Sequence, residues 1–528
     1  MKVTRVKIAV AAVAALALGT TMLSPAQSAT RSTVILHETN PITGLNCGMS
    51  ATNSTTCAAV SYLQGAGFYY YNNKKEVVPN TVFGSYKIVK NTKTDFRVQY
   101  TVNPGRVWSD GVPITGVDLL LSHVLSSSAY SVAAGLGDPP SKTAKPAFES
   151  LGYGGTYDDN VVGEPELSAD QMKVTIRYKM PIANWDLQGP GPSPVHTMIQ
   201  INDGATKLGT VAEGNAAKAK FLAAFNAKDS TVLKALGKIW TNSYTITTVN
   251  SSTNPLLLVG NGGYIIDSAV AKTSVTLKKN AKYNSGPALQ GDIDTVVFKF
   301  IGDGTAAAQA LANGELDVYA GQATADGVAK LKAIKGVNVV GKEEVAYEHW
   351  DLHYDTVPGE DPYTGLFSVK DGAKSLALRR AFLLGIPRGE IMSKLIAPIN
   401  GVTKPIQSTW LAPGSAAYDK LVASNGSSYF SQGTQEERNK RALGLVQKYY
   451  PNVLKNPLKV NVLVPGNNPR RAAEFALAKA NLAKIGFDLV GDVRTDWPSQ
   501  LGVSKYDVYF FAWVASAVTQ KQSSENFI

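Results

Sequence analysis

Eight residues, Trp108-Ser109-Asp110-Gly111-Val112-Pro113-Ile114-Thr115, leave the backbone fewer choices than any other stretch of the chain. Asp-Gly offers a residue free to take positive φ, and Pro113 fixes its own φ and lacks a donor, so the chain turns here. Thr115 then stands where its hydroxyl can cap a helix over 117–125. Upstream, Tyr86 and Ile88, then Phe96, Val98, Tyr100 and Val102, alternate with other residues around Asn91-Thr92-Lys93-Thr94, the pattern of a hairpin of half-buried strands. Whatever fold this sequence adopts must pass from a sheet through a tight turn into a helix at this point.

The remaining periodicity extends that mixture. Strands are expected at 32–36, 173–178, 274–278 and 295–301. Helices are expected at 215–226, at 230–239 and from 58, the last leading to Phe68-Tyr69-Tyr70-Tyr71, whose rings read as packing. Residues 135–165, rich in Gly, Pro, Ser and Asp, read as loops, and Gly260-Asn261-Gly262-Gly263-Tyr264 as a turn. From 304 the order becomes helix (306–313), strand (318–319), helix (325–334) and strand (337–340), which is α/β organisation. Helices over 376–384, 388–396, 435–450 and 470–485, with strands at 458–464 and 506–513, make a second α/β lobe. At 528 residues, and roughly 150 per domain, the chain has room for three or four domains. No internal repeat is evident.

The N-terminus reads as an export signal. Lys2, Arg5 and Lys7 precede the apolar run 8–18 and then Ser24-Pro25-Ala26-Gln27-Ser28-Ala29. That run is too short for a hydrocarbon core, which needs about twenty apolar residues. Residues 1–29 are therefore expected to be a signal peptide, with no cysteine nearby to carry a lipid anchor. The expected location is a periplasm, the cell envelope or the extracellular space. The chain carries 52 Lys and Arg against 41 Asp and Glu, and loss of the signal lowers the excess from +11 to +8. No basic run concentrates that charge, so nucleic acid is not an expected partner. Cys47 and Cys57 flank a polar loop in a chain bound for an oxidising compartment, and a disulfide is expected. The rival reading, a metal or redox pair, has neither C-x-x-C spacing nor a neighbouring histidine.

An exported chain of this size could be a hydrolase, yet G-x-S-x-G, S-x-x-K and H-E-x-x-H are all missing. A triad assembled from distant segments around His37, His123, His196, His349 or His353 stays open. His349 and His353 stand four apart, which on a helix would bring both to one metal. Their segment instead follows the strand-like Val345, and in a strand four residues span about 13 Å. The glycines at 260, 262 and 263 make no dinucleotide fingerprint, because Ile265 occupies the last glycine position. No metal, cofactor or catalytic residue is expected.

The order of segments resembles the family 5 extracellular solute-binding proteins, the dipeptide, oligopeptide and nickel receptors of ABC importers. Trp108-Ser109-Asp110-Gly111-x-Pro113-x-Thr115-x-x-Asp118 is similar to the family signature W-S-D-G-x-P-x-T-A-x-D, with Gly116 at the alanine. Its role is read as structural, with neither Asp110 nor Asp118 catalytic. In the same order, Gly260-Asn261-Gly262-Gly263-Tyr264 resembles G-T-G-P-Y, and Lys279-Asn280-Ala281-Lys282-Tyr283 the R-N-P-x-Y segment. Asn313-Gly314-Glu315-Leu316-Asp317 resembles S-G-E-L-D, and residues 374–391 resemble the following helix through Leu378, Arg379, Ala381, Ile386, Arg388 and Ile391.

This resemblance implies an α/β, periplasmic-binding-protein-like two-lobed fold, type II and cluster C-like, with an extra small domain. Residues 30–80 and 190–300 would form lobe I, 81–189 the small domain and 301–528 lobe II. Such lobes close over a ligand as hinge strands bend. A monomer without enzymatic activity would deliver a peptide or similar oligomeric polar solute to ABC permease subunits in the membrane. Extended peptides are held in this family largely by main-chain hydrogen bonds, while water-filled pockets tolerate varied side chains. An oligosaccharide receptor of the same fold, a secreted hydrolase and a signalling receptor are the alternatives.

Site residues carry over unevenly. Matching 45–65 to the family's L-D-P to E-G-L segment puts Ala51, Thr52 and Asn53 at the pocket edge, held by the Cys47–Cys57 bridge. Ala51 stands where an oligopeptide receptor can carry an acid. The stretch from Tyr506 to Ser516 resembles the segment ending in G-W-x-A-D, with Ser516 where an aspartate pairs with the ligand's α-ammonium. Losing a buried charged partner costs several kcal/mol. The ligand is thus open between a blocked peptide, an oligosaccharide and another polar solute, unless an acid elsewhere takes over. Trp513 is placed either to stack on the ligand or to fill the core, and Trp410, in a Pro- and Gly-flanked loop, is a weaker candidate of the same kind. Family members continue well beyond this strand, so the C-terminal part of lobe II is expected to be missing.

Overall fold

The computed structural model describes residues 32–72, 76–139, 144–182, 185–341, 346–356, 362–408, 416–466 and 468–514. The expected signal peptide, Trp410 and Ser516 lie outside the described residues, as does the side chain of Trp513.

Strand β1 (Thr33–Glu38) comes first, and the hairpin β2 (Tyr69–Tyr71) and β3 (Val77–Pro79) follows. Next, β4 (Gly84–Asn91), β5 (Phe96–Val102), β6 (Glu166–Leu167) and β7 (Lys173–Tyr178) form an antiparallel sheet in the order β4-β5-β7-β6. Then β8 (Tyr264–Val270), β9 (Ser274–Lys279) and β10 (Thr295–Phe300) return to β1 in the order β1-β10-β9-β8, with β1 parallel to β10. Last come β11 (Ala346–Leu352), β12 (Leu458–Pro465), β13 (Phe487–Arg494) and β14 (Val508–Val514), ordered β11-β14-β12-β13. There β12 runs parallel to both neighbours and β11 antiparallel to β14.

Helices cover these sheets in the manner of α/β layers. The alternation read in β5 is real: Phe96, Val98, Tyr100 and Val102 are all buried, in one core with Trp108, Phe221 and Leu233. The β1 sheet packs Val275, Leu277 and Phe298 against Val60 of the helix Thr55–Gln64 on one face. On its other face Ile35 meets Ala307 and Ala310 of the helix Gly304–Ala312. The last sheet packs Val460, Val462 and Phe510 against the helices Gly372–Gly385, Gln435–Gln447 and Pro469–Ala483. The fold is thus α/β and two-lobed. Residues 337–340, expected as a strand, form none, and Val340 is 61% exposed, so that apolar run has no core to line.

The 108–118 turn is where remote segments meet. Gly111 has φ +100°, a conformation that only glycine adopts freely, and Trp108 N–H donates to Val112 O at 2.9 Å. Thr115 and Asp118 form a capping box, with Asp118 Oδ2 accepting the Thr115 N–H at 2.8 Å. Asp118 is fully buried and its carboxylate also accepts from Lys218 Nζ at 2.6 Å. Asp110 Oδ2 lies 2.9 Å from His196 Nε2, and Asp110 O accepts from Lys282 Nζ at 2.8 Å. Burial would raise the pKa of Asp110, but the His196 contact overcomes it and holds the carboxyl below its ordinary value. Ser109 N–H donates to Gly260 O at 2.9 Å. From there Gly262 N–H reaches Gln64 O at 2.7 Å, so close that a Cβ at Gly262 would collide with the Leu63 carbonyl. These motif residues are spent on tying the fold together.

Candidate functional site

The parallel strands β1 and β10 end together at Glu38 and Phe300. Val318 bridges Leu36 in the parallel sense and accepts the His37 N–H at 2.9 Å, after which the chain leaves the first lobe. A few residues on it touches the second: the Gln322 side-chain amide lies 3.0 Å from Asn468 Nδ2, and Arg470 Nη1 donates to Ala323 O at 3.2 Å. Asn468 also caps the helix Pro469–Ala483, accepting the Arg471 N–H at 3.1 Å. Strand β12 ends at Pro465 just before that helix, and Ala346 of β11 pairs with Val514 of β14 at the same edge. Two lips therefore face the crossover, one at the Glu38 end of β1 and one at the edge formed by Ala346, Pro465 and Val514.

The second lip carries a compact ion cluster. Glu348 accepts from Arg471 Nε at 2.7 Å and pairs with Arg470 Nη2 at 3.0 Å, while Arg470 Nε donates to Glu474 Oε1 at 3.2 Å. Burial alone would raise the pKa of Glu348, but the charges of Arg470 and Arg471 hold it below its ordinary value. Glu474 goes the other way. Burial, and then the Glu348 charge beside it, push its carboxyl up to about 8 against the pull of Arg470.

The first lip is built around the disulfide. Cys47 and Cys57 are joined, with Cα atoms 5.7 Å apart. Ser54 caps the helix Thr55–Gln64 by accepting the Cys57 N–H at 3.1 Å. Of the expected pocket-edge residues, Thr52 is buried and its hydroxyl serves the loop, donating to Asn46 O, while its methyl lies against Gly44. Ala51 and Asn53 are exposed; Ala51 O accepts from Thr43 Oγ1 at 3.3 Å, and Asn53 N–H donates to Met49 O at 2.9 Å. On the second lobe, Trp513 stands opposite Tyr347 in the β14–β11 register. Sequence reasoning passed over Glu38, whose Oε2 accepts from Thr56 Oγ1 at 3.1 Å. It therefore lies beside the first turn of the helix that the disulfide loop feeds.

The two histidines weighed as metal ligands part company. His349 lies in β11 with Nδ1 2.7 Å from Asp351 Oδ1, whereas His353 Nδ1 lies 3.0 Å from Tyr506 O and 2.9 Å from the Tyr509 hydroxyl. Among the described residues no group of three His, Cys, Asp or Glu could hold a metal ion.

Residues 86–527 match the family described as bacterial extracellular solute-binding proteins, family 5 Middle. The chain belongs to that family. Its role is accordingly to bind a solute. Solved structures with similar folds include the periplasmic EDTA-binding protein EppA, at 18% identity and a TM-score of 0.64, covering 92% of this chain and 78% of that one. OppA of Haemophilus influenzae, in complex with RPPGFSPFR, is 15% identical with a TM-score of 0.60, covering 94% and 83%. The oligopeptide-binding protein of Thermus thermophilus, complexed with a pentapeptide, is 14% identical with a TM-score of 0.58, covering 91% and 77%. A comparison with curated protein sequences returns no match. Among the described residues no helix is long and apolar enough to cross a membrane.

Proposed function

We propose that this protein is exported through its 1–29 signal, works as a monomer without a lipid anchor, and captures peptides or similar oligomeric polar solutes for the permease subunits of an ABC importer. Residues 30–80 and 190–300 act as lobe I, 81–189 as the small domain and 301–528 as lobe II. The observation that carries the reading is the crossover at 318–323, where one short segment leaves the β1 lip and is held by Asn468 and Arg470 at the other. A segment anchored at both ends lets the lips approach by bending while each lobe stays rigid. Ala51 and Asn53 on the disulfide loop, with Thr52 shaping it, edge the pocket on lobe I; Trp410, Trp513 and Ser516 contribute from lobe II. Titration of the purified mature chain with a pool of short peptides, followed by calorimetry, tests this. Saturable binding without cleavage of the peptides is expected. Peptide turnover, or binding of oligosaccharides in place of peptides, would overturn it.

A further inference from the structure

Glu38 is a carboxylate at a lobe lip that no cation among the described residues answers. Its side chain is only partly exposed, and burial raises its pKa, opposed by the Thr56 hydroxyl alone. That hydroxyl also lies 2.9 Å from Asn40 O, so its single proton is divided between two acceptors. His37 gives no help. Adjacent strand residues point to opposite faces, and the His37 ring stacks on Tyr319 at 5.0 Å, with burial lowering its pKa so that it is neutral near pH 7.

The acids that the fold buries fully are matched. Among the described residues the fully buried ones are Asp118, Glu474 and Asp507. Asp118 has Lys218 and Glu474 has Arg470, while Asp507 accepts from the Tyr363 hydroxyl at 2.7 Å and from the Asn461 N–H at 2.8 Å. Glu348, across the crossover, has two arginines. A half-buried carboxylate loses hydration without recovering it unless a partner arrives.

We infer that Glu38 receives a cationic group of the bound solute, a primary ammonium or a guanidinium, beside the first turn of the helix Thr55–Gln64. The inference rests on the solute-receptor reading above. The Cys47–Cys57 bridge and the Ser54 cap hold that turn, so the acid is positioned before the solute arrives. It supplies from lobe I the carboxylate that the sequence lacks at Ser516.

The test is calorimetric, on the full mature chain and on Glu38→Gln and Glu38→Asp. The probes are a tripeptide pool lacking Lys and Arg, the same pool N-acetylated, and an acetylated pool that includes lysine. Wild type is expected to favour one cationic pool over the neutral acetylated pool by about tenfold or more, as a charge-assisted bond in a desolvated site gives. Which pool it favours tells an α-ammonium from a side-chain cation. Glu38→Gln, whose amide oxygen still accepts from Thr56, is expected to melt like wild type and bind all pools alike, and Glu38→Asp to keep part of the preference. An unchanged preference in folded Glu38→Gln, or no preference in wild type, overturns the inference and leaves the receptor reading standing. Failure of folded wild type to bind any pool overturns the peptide reading and this inference with it.

Discussion

The 108–118 turn and the two lips treat buried charge in opposite ways. At the turn, Asp118 and Asp110 are closed off against Lys218 and His196 and add hydrogen bonds from their own segment, so each carboxylate has a basic partner inside the chain. At the lips the lobe II acid Glu348 is matched by Arg470 and Arg471, while Glu38 on lobe I has one shared hydroxyl. Charges that build a fold come with partners inside the chain. The Glu38 carboxylate, kept partly dry at a lip with one shared hydroxyl, is the one assigned a partner from outside.

Several substitutions can break or sharpen that contrast. The largest effect is expected from Lys218→Ala, which leaves the fully buried Asp118 uncompensated and should cost about 3–5 kcal/mol in urea unfolding. The double variant Asp118→Asn with Lys218→Met should recover much of that loss; no recovery would mean that the pair matters for something other than charge. Replacing Cys47 and Cys57 together by Ser frees a short loop, and the chain-entropy estimate puts the loss at about 2–3 kcal/mol. The same variant should weaken solute binding, because it loosens the lip that positions Glu38.

A smaller effect follows from Glu474. Its folded pKa, near 8, is raised above the ordinary carboxylate range, so between about pH 4.5 and 8 the folded state binds more protons than the unfolded state. Stability from this group is full below the unfolded pKa and is lost as pH rises through the folded one. Glu474→Gln should flatten that decline, which thermal melts across pH 5 to about 8.5 would reveal. A slope identical in wild type and variant would contradict the assignment. The smallest stability effect is expected at Glu38. Glu38→Gln should change unfolding free energy by no more than about 0.5 kcal/mol, since no internal ion pair is lost. A loss comparable with that of Lys218→Ala would place Glu38 among the structural acids.

Much of the architecture was legible because its signals are local. The hairpin at 86–102, the strand at 173–178 and the helices near 215–239 announce themselves by period and capping residues, and the Cys47–Cys57 bridge by compartment. Several strands have no clear signal, among them the short β2, β3 and β6 and the longer β8 and β13. In β13, only Phe487 and Leu489 are fully buried, and Asp488, Gly491 and Asp492 make the segment read as polar, although β12 supplies a full parallel register. In β8, the glycine turn that precedes Tyr264 drew the reading towards a loop. The site was less legible than the fold. A carboxylate at the end of a strand has no signature in sequence; only topology brings Glu38 beside Thr56, two residues beyond the Leu36–Val318 bridge. The ion cluster of Glu348, Arg470, Arg471 and Glu474 spans more than a hundred residues of chain and was equally hidden.

Small-angle X-ray scattering from the mature chain, with and without a saturating peptide pool whose binding is confirmed by calorimetry, tests the central claim of closure around a solute most directly. A smaller radius of gyration in the bound state is the predicted result. Saturation with an unchanged scattering curve would contradict it, because the solute would then be held without the lips coming together.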